Sequence, residues 1–365
     1  MKSKPLIVFD MDGVIIDVSR SYRDTIRQSA RLFLKGAQSW ENLPDPLFQL
    51  SDLARVKQGG GLNNDWDLTF LVIDLLFPLA KKPAIREFGT PTSPSAPDSA
   101  DRPCPKLAAG KSKGLGGGED PDNWSIYEKV IRGCDVTELA RFLRSTKKPL
   151  TTLLEKKEKP NDEFIMSLCV GDVGSGNIIK QIFQEIYLGK DLFKSTYGID
   201  AKVYYGEGYA NKEKPLVDKS ILESLLKNNF LAIATGRPKT EADYPLDSFG
   251  LRKYFSIILT LDDCIREEKR MLEQEGNNVS LSKPNPFMLD AIAETKKNEA
   301  SGFYYVGDMP DDMVAASRSK TGFTGVGVLF SATDKVTLKR DLLRAGADYV
   351  IRDFNELERI IESNE

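Results

Sequence analysis

The chain has 365 residues, 41% hydrophobic and 29% charged, which exceeds one average domain and supplies enough apolar material for two. It contains no histidine, which excludes Ser-His-Asp and Cys-His hydrolysis, His-containing zinc sites and phosphohistidine chemistry. A formal net charge of −3 argues against a nucleic-acid partner, and no apolar run approaches the ~18 residues a membrane span needs. The opening stretch MKSKPLIVFDMDG is interrupted by Asp10 and Asp12 and does not read as a signal peptide. Cys104, Cys134, Cys169 and Cys264 have neither CxxC nor disulfide-framework spacing, so reduced thiols and a cytoplasmic location are expected.

Leu6-Ile7-Val8-Phe9 is a continuous apolar run, the pattern of a strand buried on both faces. Similar runs recur at Phe230–Ala234, Ile257–Leu259, Phe303–Val306, Gly325–Phe330 and Ala347–Ile351. Helix-like stretches lie between them at Val217–Lys227, Pro286–Lys296 and Asp312–Ser319. The alternation predicts an α/β fold, a three-layer Rossmann-like parallel sheet covered on both faces.

The long segment between the first and second runs differs in character. Ser19–Phe33 places Tyr22, Ile26, Ser29 and Phe33 at helical spacing, with Arg20, Arg23, Arg27 and Arg31 as a second stripe. Trp66–Leu79, Val136–Arg144, Glu163–Cys169 and Ile178–Leu188 also favour helix. The expected organisation is a core of residues 1–17 and 214–365 with a helical insert over 18–213. Within the insert, residues 90–120 are rich in Pro, Ser and Gly and predict a flexible loop.

Four short motifs carry chemistry, each at or near the end of an element. Asp10-Met11-Asp12-Gly13-Val14 follows the first strand, where open parallel sheets place their ligands. Two carboxylates that close repel unless a cation sits between them or one stays protonated, and a Mg²⁺ ion with oxygen ligands answers that need. Ala234-Thr235-Gly236-Arg237-Pro238 offers a hydroxyl and backbone N–H groups to phosphate oxygens. Lys283-Pro284 precedes a predicted helix, where a lysine can neutralise a carboxylate and a phosphoryl oxygen. In Val306-Gly307-Asp308-Met309-Pro310-Asp311-Asp312, Asp308 offers a further metal oxygen and Asp312 a brace behind it. Taken singly, each also fits a polar strand end, an ordinary turn or a solvated lysine.

In combination and in this order, DxD, Thr, Lys and GDxxxD resemble the haloacid dehalogenase superfamily of phosphohydrolases. A helical insert between the first and second motifs is similar to the subfamily that carries its cap there, which includes phosphoglycolate-phosphatase-like and β-phosphoglucomutase-like enzymes. The resemblance implies that Asp10 is the nucleophile and a Mg²⁺ ligand, forming an aspartyl-phosphate. It implies that Asp12 is the general acid and base, with its main-chain carbonyl on the metal. Thr235 and Gly236 would bind the phosphoryl group, Lys283 would neutralise charge, and Asp308 would complete the metal site with Asp312 beside it. Dehalogenases and phosphonate-cleaving members lack an acid at the position of Asp12, which disfavours both.

The insert is expected to choose the substrate. Arg55–Trp66 is its densest cluster of polar and glycine residues and resembles a cap specificity loop, in which Lys57, Asn63 and Asn64 are candidate substrate ligands. The competing reading is a helix-connecting loop with Asn64 or Asp65 as a cap. Arg20, Arg23 and Arg237 are further candidate contacts, and Gly171–Asn177 reads as a turn or a second contact. The expected activity is a Mg²⁺-dependent phosphatase acting on a small phosphorylated metabolite of the sugar or polyol phosphate class. The alternatives are a phosphomutase and a non-catalytic binding protein on the same fold. Mutases of the β-phosphoglucomutase type carry a hinge histidine where this chain has Tyr22, which weighs against the first; the intact acidic cluster weighs against the second.

Overall fold

Each of the apolar runs forms a strand in a computed structural model, which describes residues 4–58, 65–80, 123–157, 161–332 and 334–364. The strands are β1 (Lys4–Phe9), β2 (Ile16–Asp17), β3 (Lys214–Pro215), β4 (Phe230–Ala234), β5 (Ile257–Leu259), β6 (Ala300–Gly307), β7 (Thr324–Val328) and β8 (Tyr349–Ile351). Six of them make one sheet in the order β5-β4-β1-β6-β7-β8, and every pairing in it is parallel. The short strands β2 and β3 pair antiparallel with each other.

Two compact units divide the chain: Met1–Arg20 with Lys212–Glu365, and Ser21–Asn211. The second unit is helical among its described residues, with α1 (Tyr22–Phe33), α2 (Leu50–Gln58), α3 (Asp65–Leu76), α4 (Asn123–Arg132), α5 (Thr137–Ser145), α6 (Pro149–Glu155), α7 (Glu163–Ser167) and α8 (Ile178–Tyr197). Helix α1 packs on α3 and α8. Its Tyr22 ring stacks on Tyr187 at 4.3 Å between centroids and on Phe183 at 5.9 Å, so this side chain belongs to the unit's own core. The buried carboxylates of this unit are bound to main-chain N–H groups. Asp52 accepts from Leu150 N at 2.7 Å and Asp74 from Asp162 N at 2.8 Å. Glu185 accepts from Lys202 N, Val203 N and Tyr204 N at 2.7–3.1 Å. Burying an ion is tolerable only with such partners, and these three carboxylates are structural. The Pro/Ser/Gly-rich stretch 90–120 lies outside the described residues.

In the first unit the remaining helices are α9 (Lys219–Asn228), α10 (Lys239–Ser248), α11 (Leu261–Glu275), α12 (Phe287–Lys296), α13 (Pro310–Arg318), α14 (Lys335–Arg344) and α15 (Phe354–Asn364). Leu6, Ile7, Val8 and Phe9 are all fully buried, and the two-residue period of a strand divides them between the faces. Leu6 and Val8 pack into a cluster with Met288, Leu289 and Ile292 of α12 and Ala315 and Ala316 of α13. Phe9 meets Phe255 edge-on at 6.1 Å and Phe354 of α15 at 6.3 Å. The sheet is therefore the middle layer of three. At about 1.5–3 kcal/mol per fully buried large apolar side chain, β1 is anchored firmly enough to hold charged residues at its end.

Register aligns the ends of the central strands. Phe9 lies level with Ile233 of β4 and with Val306 of β6. The residues just beyond these three strands, starting at Asp10, Thr235 and Asp308, therefore emerge together at one edge. Chain order runs from β1 through β4 to β5 and then crosses to β6, so β1 sits at the switch point where such sheets bind ligands.

Candidate active site

Asp10 takes its place from the sheet, since its own N–H continues the ladder by donating to Val306 O at 2.8 Å. Its side chain is 10% exposed, and the Lys283 ammonium lies 2.6 Å from its Oδ1. The same ammonium is 2.8 Å from Asp312 Oδ1. Asp312 is 1% exposed and also accepts from the Tyr305 hydroxyl at 2.9 Å and from Met309 N at 3.0 Å. Asp312 is thus committed to holding Lys283 and the first turn of α13. Tyr305 reads as an apolar strand residue in the sequence, yet its hydroxyl is one of the groups that fix Asp312.

Oxygens of Asp10, Asp308 and Asp312 lie within 4.8 Å of one another. Three carboxylates this close to a single lysine leave an excess of negative charge in a buried site. Burial above all pushes the Asp10 carboxyl up to about 7; Lys283 opposes the shift, and Asp312 and Asp12 add to it. Burial works against the Lys283 ammonium, but Asp10 and Asp312 outweigh it and hold its pKa well above the ordinary lysine range. A compact set of hard oxygen donors with excess negative charge fits a divalent cation such as Mg²⁺. With Asp312 committed to Lys283, Tyr305 and Met309, Asp10 and Asp308 are the side chains that would meet the ion first. The carboxylate of Asp12 is not part of this set.

Two glycines make the approach possible. Gly13 has φ +72°, and a Cβ there would stand 2.1 Å from Asp308 Oδ2. A Cβ on Gly307 would meet Asp312 Cβ at 2.4 Å. Glycine at 13 lets the loop after β1 close on Asp308, and glycine at 307 lets Asp312 of α13 lie against the end of β6.

Thr235 is 1% exposed, its N–H donates to Leu259 O at 3.0 Å, and Gly236 beside it is exposed. Arg237, expected as a substrate contact, is placed among side chains of the first unit. Its side chain is 1% exposed, and Nε donates to Asp12 Oδ1 at 2.6 Å. Nη1 and Nη2 grip Glu213 Oε2 and Oε1 at 3.1 Å each, and Nη1 also donates to Glu241 O at 3.0 Å. The enclosed guanidinium thus engages Asp12, Glu213 and the Glu241 carbonyl together.

Of the other candidates, Arg20 is exposed at the end of the first unit's N-terminal segment, and Arg23 is half-buried in the second unit. Lys57 lies 3.0 Å from Asp65 Oδ1, an ion pair that joins the end of α2 to the start of α3. Asn63 and Asn64 lie outside the described residues. The Gly171–Asn177 segment is a turn: Asn177 caps α8 by accepting from Lys180 N at 2.9 Å, and Asp172 lies 2.6 Å from the Lys180 ammonium.

Residues 203–326 match the family model described as haloacid dehalogenase-like hydrolase. The chain carries a haloacid dehalogenase-like hydrolase domain. The matched stretch holds Thr235, Lys283 and Asp308, and the sheet brings Asp10 and Asp12 to the same edge. A phosphoglycolate phosphatase of Neisseria gonorrhoeae is 26% identical over 188 residues, covering 50% of this chain and 72% of that protein. An X-ray structure of a Northeast Structural Genomics Consortium target aligns over 99% of both chains with a TM-score of 0.60 and 22% identity, a likeness of fold. The phosphatase Tt82 from Thermococcus thioreducens aligns over 93% of this chain and 99% of its own, with a TM-score of 0.46 and 18% identity. No helix among the described residues of the chain is long and apolar enough to cross a membrane.

Proposed function

We propose that the chain is a Mg²⁺-dependent phosphomonoesterase acting on a small phosphorylated metabolite of the sugar or polyol phosphate class. The observation that carries this reading is the cluster itself: Asp10, Asp308 and Asp312 within 4.8 Å of one another, with Lys283 2.6 Å from Asp10. A bound Mg²⁺ would supply charge neutralisation for the phosphoryl oxygens and shield them from the attacking carboxylate.

Asp10 attacks phosphorus; the bond from phosphorus to the leaving oxygen breaks, and Asp12 gives that oxygen its proton. Water then attacks the aspartyl-phosphate while Asp12 takes a proton from it, releasing inorganic phosphate and restoring the Asp10 carboxylate. Lys283 balances charge on Asp10 and the transferring group, and Thr235 with the Gly236 N–H holds phosphoryl oxygens. Asp312 and Tyr305 keep Lys283 in place. The chain has no histidine, and both proton transfers are assigned to Asp12 in this reading.

The test is phosphate release from an aryl phosphate and from a panel of sugar and polyol phosphates, with Mg²⁺ and with chelator. Turnover that requires Mg²⁺ and favours members of the panel supports the reading. Full activity in chelator, or no phosphate from any substrate, contradicts it.

A further inference from the structure

The catalytic roles leave a buried ionic group of the first unit unused. Arg237, Glu213 and the Glu241 carbonyl sit behind Asp12, with Arg237 and Glu213 side chains each 1% exposed. Asp12 is different: its side chain is 27% exposed, the open end of the group. Burying a guanidinium and a carboxylate this completely carries a desolvation cost that a pair merely filling space would not need. The bidentate Arg237–Glu213 fork fixes the guanidinium plane, and that plane fixes where Nε points. Nε points at Asp12 Oδ1. One carboxylate oxygen of Asp12 is therefore held, and the rotation of its carboxyl group is limited.

We propose that Arg237 and Glu213 are positioning residues, a buried clamp that aims the free oxygen of Asp12 for both of its proton transfers. The inference rests on the phosphomonoesterase reading. Glu213 stands immediately before β3, whose partner β2 begins four residues after Asp12, so the clamp closes a short circuit of chain inside the first unit. The backbone of the Asp12 loop is held by a bridge to Ile16 and by the Gly13 N–H donating to Ile16 O at 2.8 Å, whereas the Asp12 side chain meets Arg237. A group that must first donate and later accept a proton at one spot gains from such restraint, since a displacement of ~1 Å can cost on the order of 10²-fold in rate.

The clamp acts only on steps in which Asp12 moves a proton, and this separates it from a structural role. An aryl phosphate has a leaving group that departs without protonation, so Asp10 attack needs little from Asp12. Hydrolysis of the aspartyl-phosphate needs Asp12 whatever the substrate. The experiment is rapid-mixing kinetics of full-length Glu213→Gln and Arg237→Lys with p-nitrophenyl phosphate and with glycerol phosphate, alongside circular dichroism.

With p-nitrophenyl phosphate, the variants are expected to release one equivalent of nitrophenol in a fast phase and then turn over on the order of 10²-fold more slowly than wild type. With glycerol phosphate both steps slow, kcat falls by at least as much and no fast phase appears. KM for either substrate is expected not to rise. Arg237→Lys, which keeps the charge but loses the fork, is expected to retain more activity than Arg237→Ala.

Equal slowing of the fast and slow phases, a rise in KM with kcat unchanged, or wild-type kinetics would overturn the proposal. So would loss of the folded state in both Glu213→Gln and Arg237→Lys, which would assign the cluster to the fold. Absence of turnover in the wild type would instead count against the phosphomonoesterase reading on which it rests.

Discussion

Gly13 and Asp308 meet with no space for a side chain between them: a Cβ at Gly13 would stand 2.1 Å from Asp308 Oδ2. The two residues leave different strands, β1 and β6, whose ends are level in the sheet. Gly13→Ala must push Asp308 away and also force φ +72° on an alanine, a cost of about 1–2 kcal/mol. The expected result is a Mg²⁺ titration midpoint raised on the order of tenfold and a fall in kcat on the order of 10²-fold. A Mg²⁺ titration of phosphate release measures both. An unchanged titration midpoint would show that Asp308 does not hold the ion.

Asp10→Asn removes the proposed nucleophile and one of three crowded negative charges. Turnover is expected to fall on the order of 10³-fold or more. The protein should nevertheless gain stability in chelator, because Lys283 keeps its partner Asp312 at 2.8 Å while a costly buried carboxylate is gone. Thermal unfolding of wild type and variant at pH 8 in chelator measures this. A variant less stable than wild type there would mean that the Asp10–Lys283 pair contributes more than its burial costs.

The pH dependence of that difference has a defined sign. In the unfolded chain Asp10 ionises around 3.8, and in the fold it is pushed up to about 7. Below the lower value both states are protonated and there is no penalty; above the upper value both are ionised and the fold carries it in full. The metal-free wild type is therefore expected to lose stability relative to Asp10→Asn as pH rises between these values. Denaturant unfolding at a series of pH values reads it. Parallel curves for the two proteins would contradict the shift, and saturating Mg²⁺ is expected to reverse the wild-type loss above pH 7.

Glu185 in the second unit is bound differently from the Asp10, Asp308 and Asp312 cluster, since its oxygens accept from three successive main-chain N–H groups and from Gln181 Nε2. Glu185→Gln places an amide donor against those donors. A loss of about 2–4 kcal/mol in denaturant unfolding is expected, the scale for charge-assisted hydrogen bonds lost in a buried place. A change below about 0.5 kcal/mol would mean that the 202–204 segment finds other partners readily.

The parts legible in the sequence are those with a local signature. Strands buried on both faces read as unbroken apolar runs, and Asp10, Thr235, Lys283 and Asp308 each sit in a short motif beside such a run or a helix start. The clamp on Asp12 is not legible, because Glu213 is 24 residues from Arg237 and carries no motif; only the fold brings them together. Arg237 resembles a phosphate ligand for the same reason, since its neighbours in sequence do not reveal its neighbours in space. Tyr305 reads as a hydrophobic ring, and nothing local shows that its hydroxyl meets Asp312. Helix α11 is missed although its local signals are present: Thr260 and Asp263 form a capping box at its start and Gly276 ends it, but its charged residues outnumber its apolar ones and only Cys264 is fully buried.

Trapping the covalent intermediate tests the nucleophilic role of Asp10 most directly. Full-length protein with Mg²⁺ is mixed with an aryl phosphate, quenched in acid within the first turnover, digested and mapped by peptide mass spectrometry. The expected result is a phosphoryl group on Asp10, formed only with Mg²⁺ and absent from Asp10→Asn. Phosphate release by Asp10→Asn at the wild-type rate, or a phosphoryl group on any other residue, would contradict it.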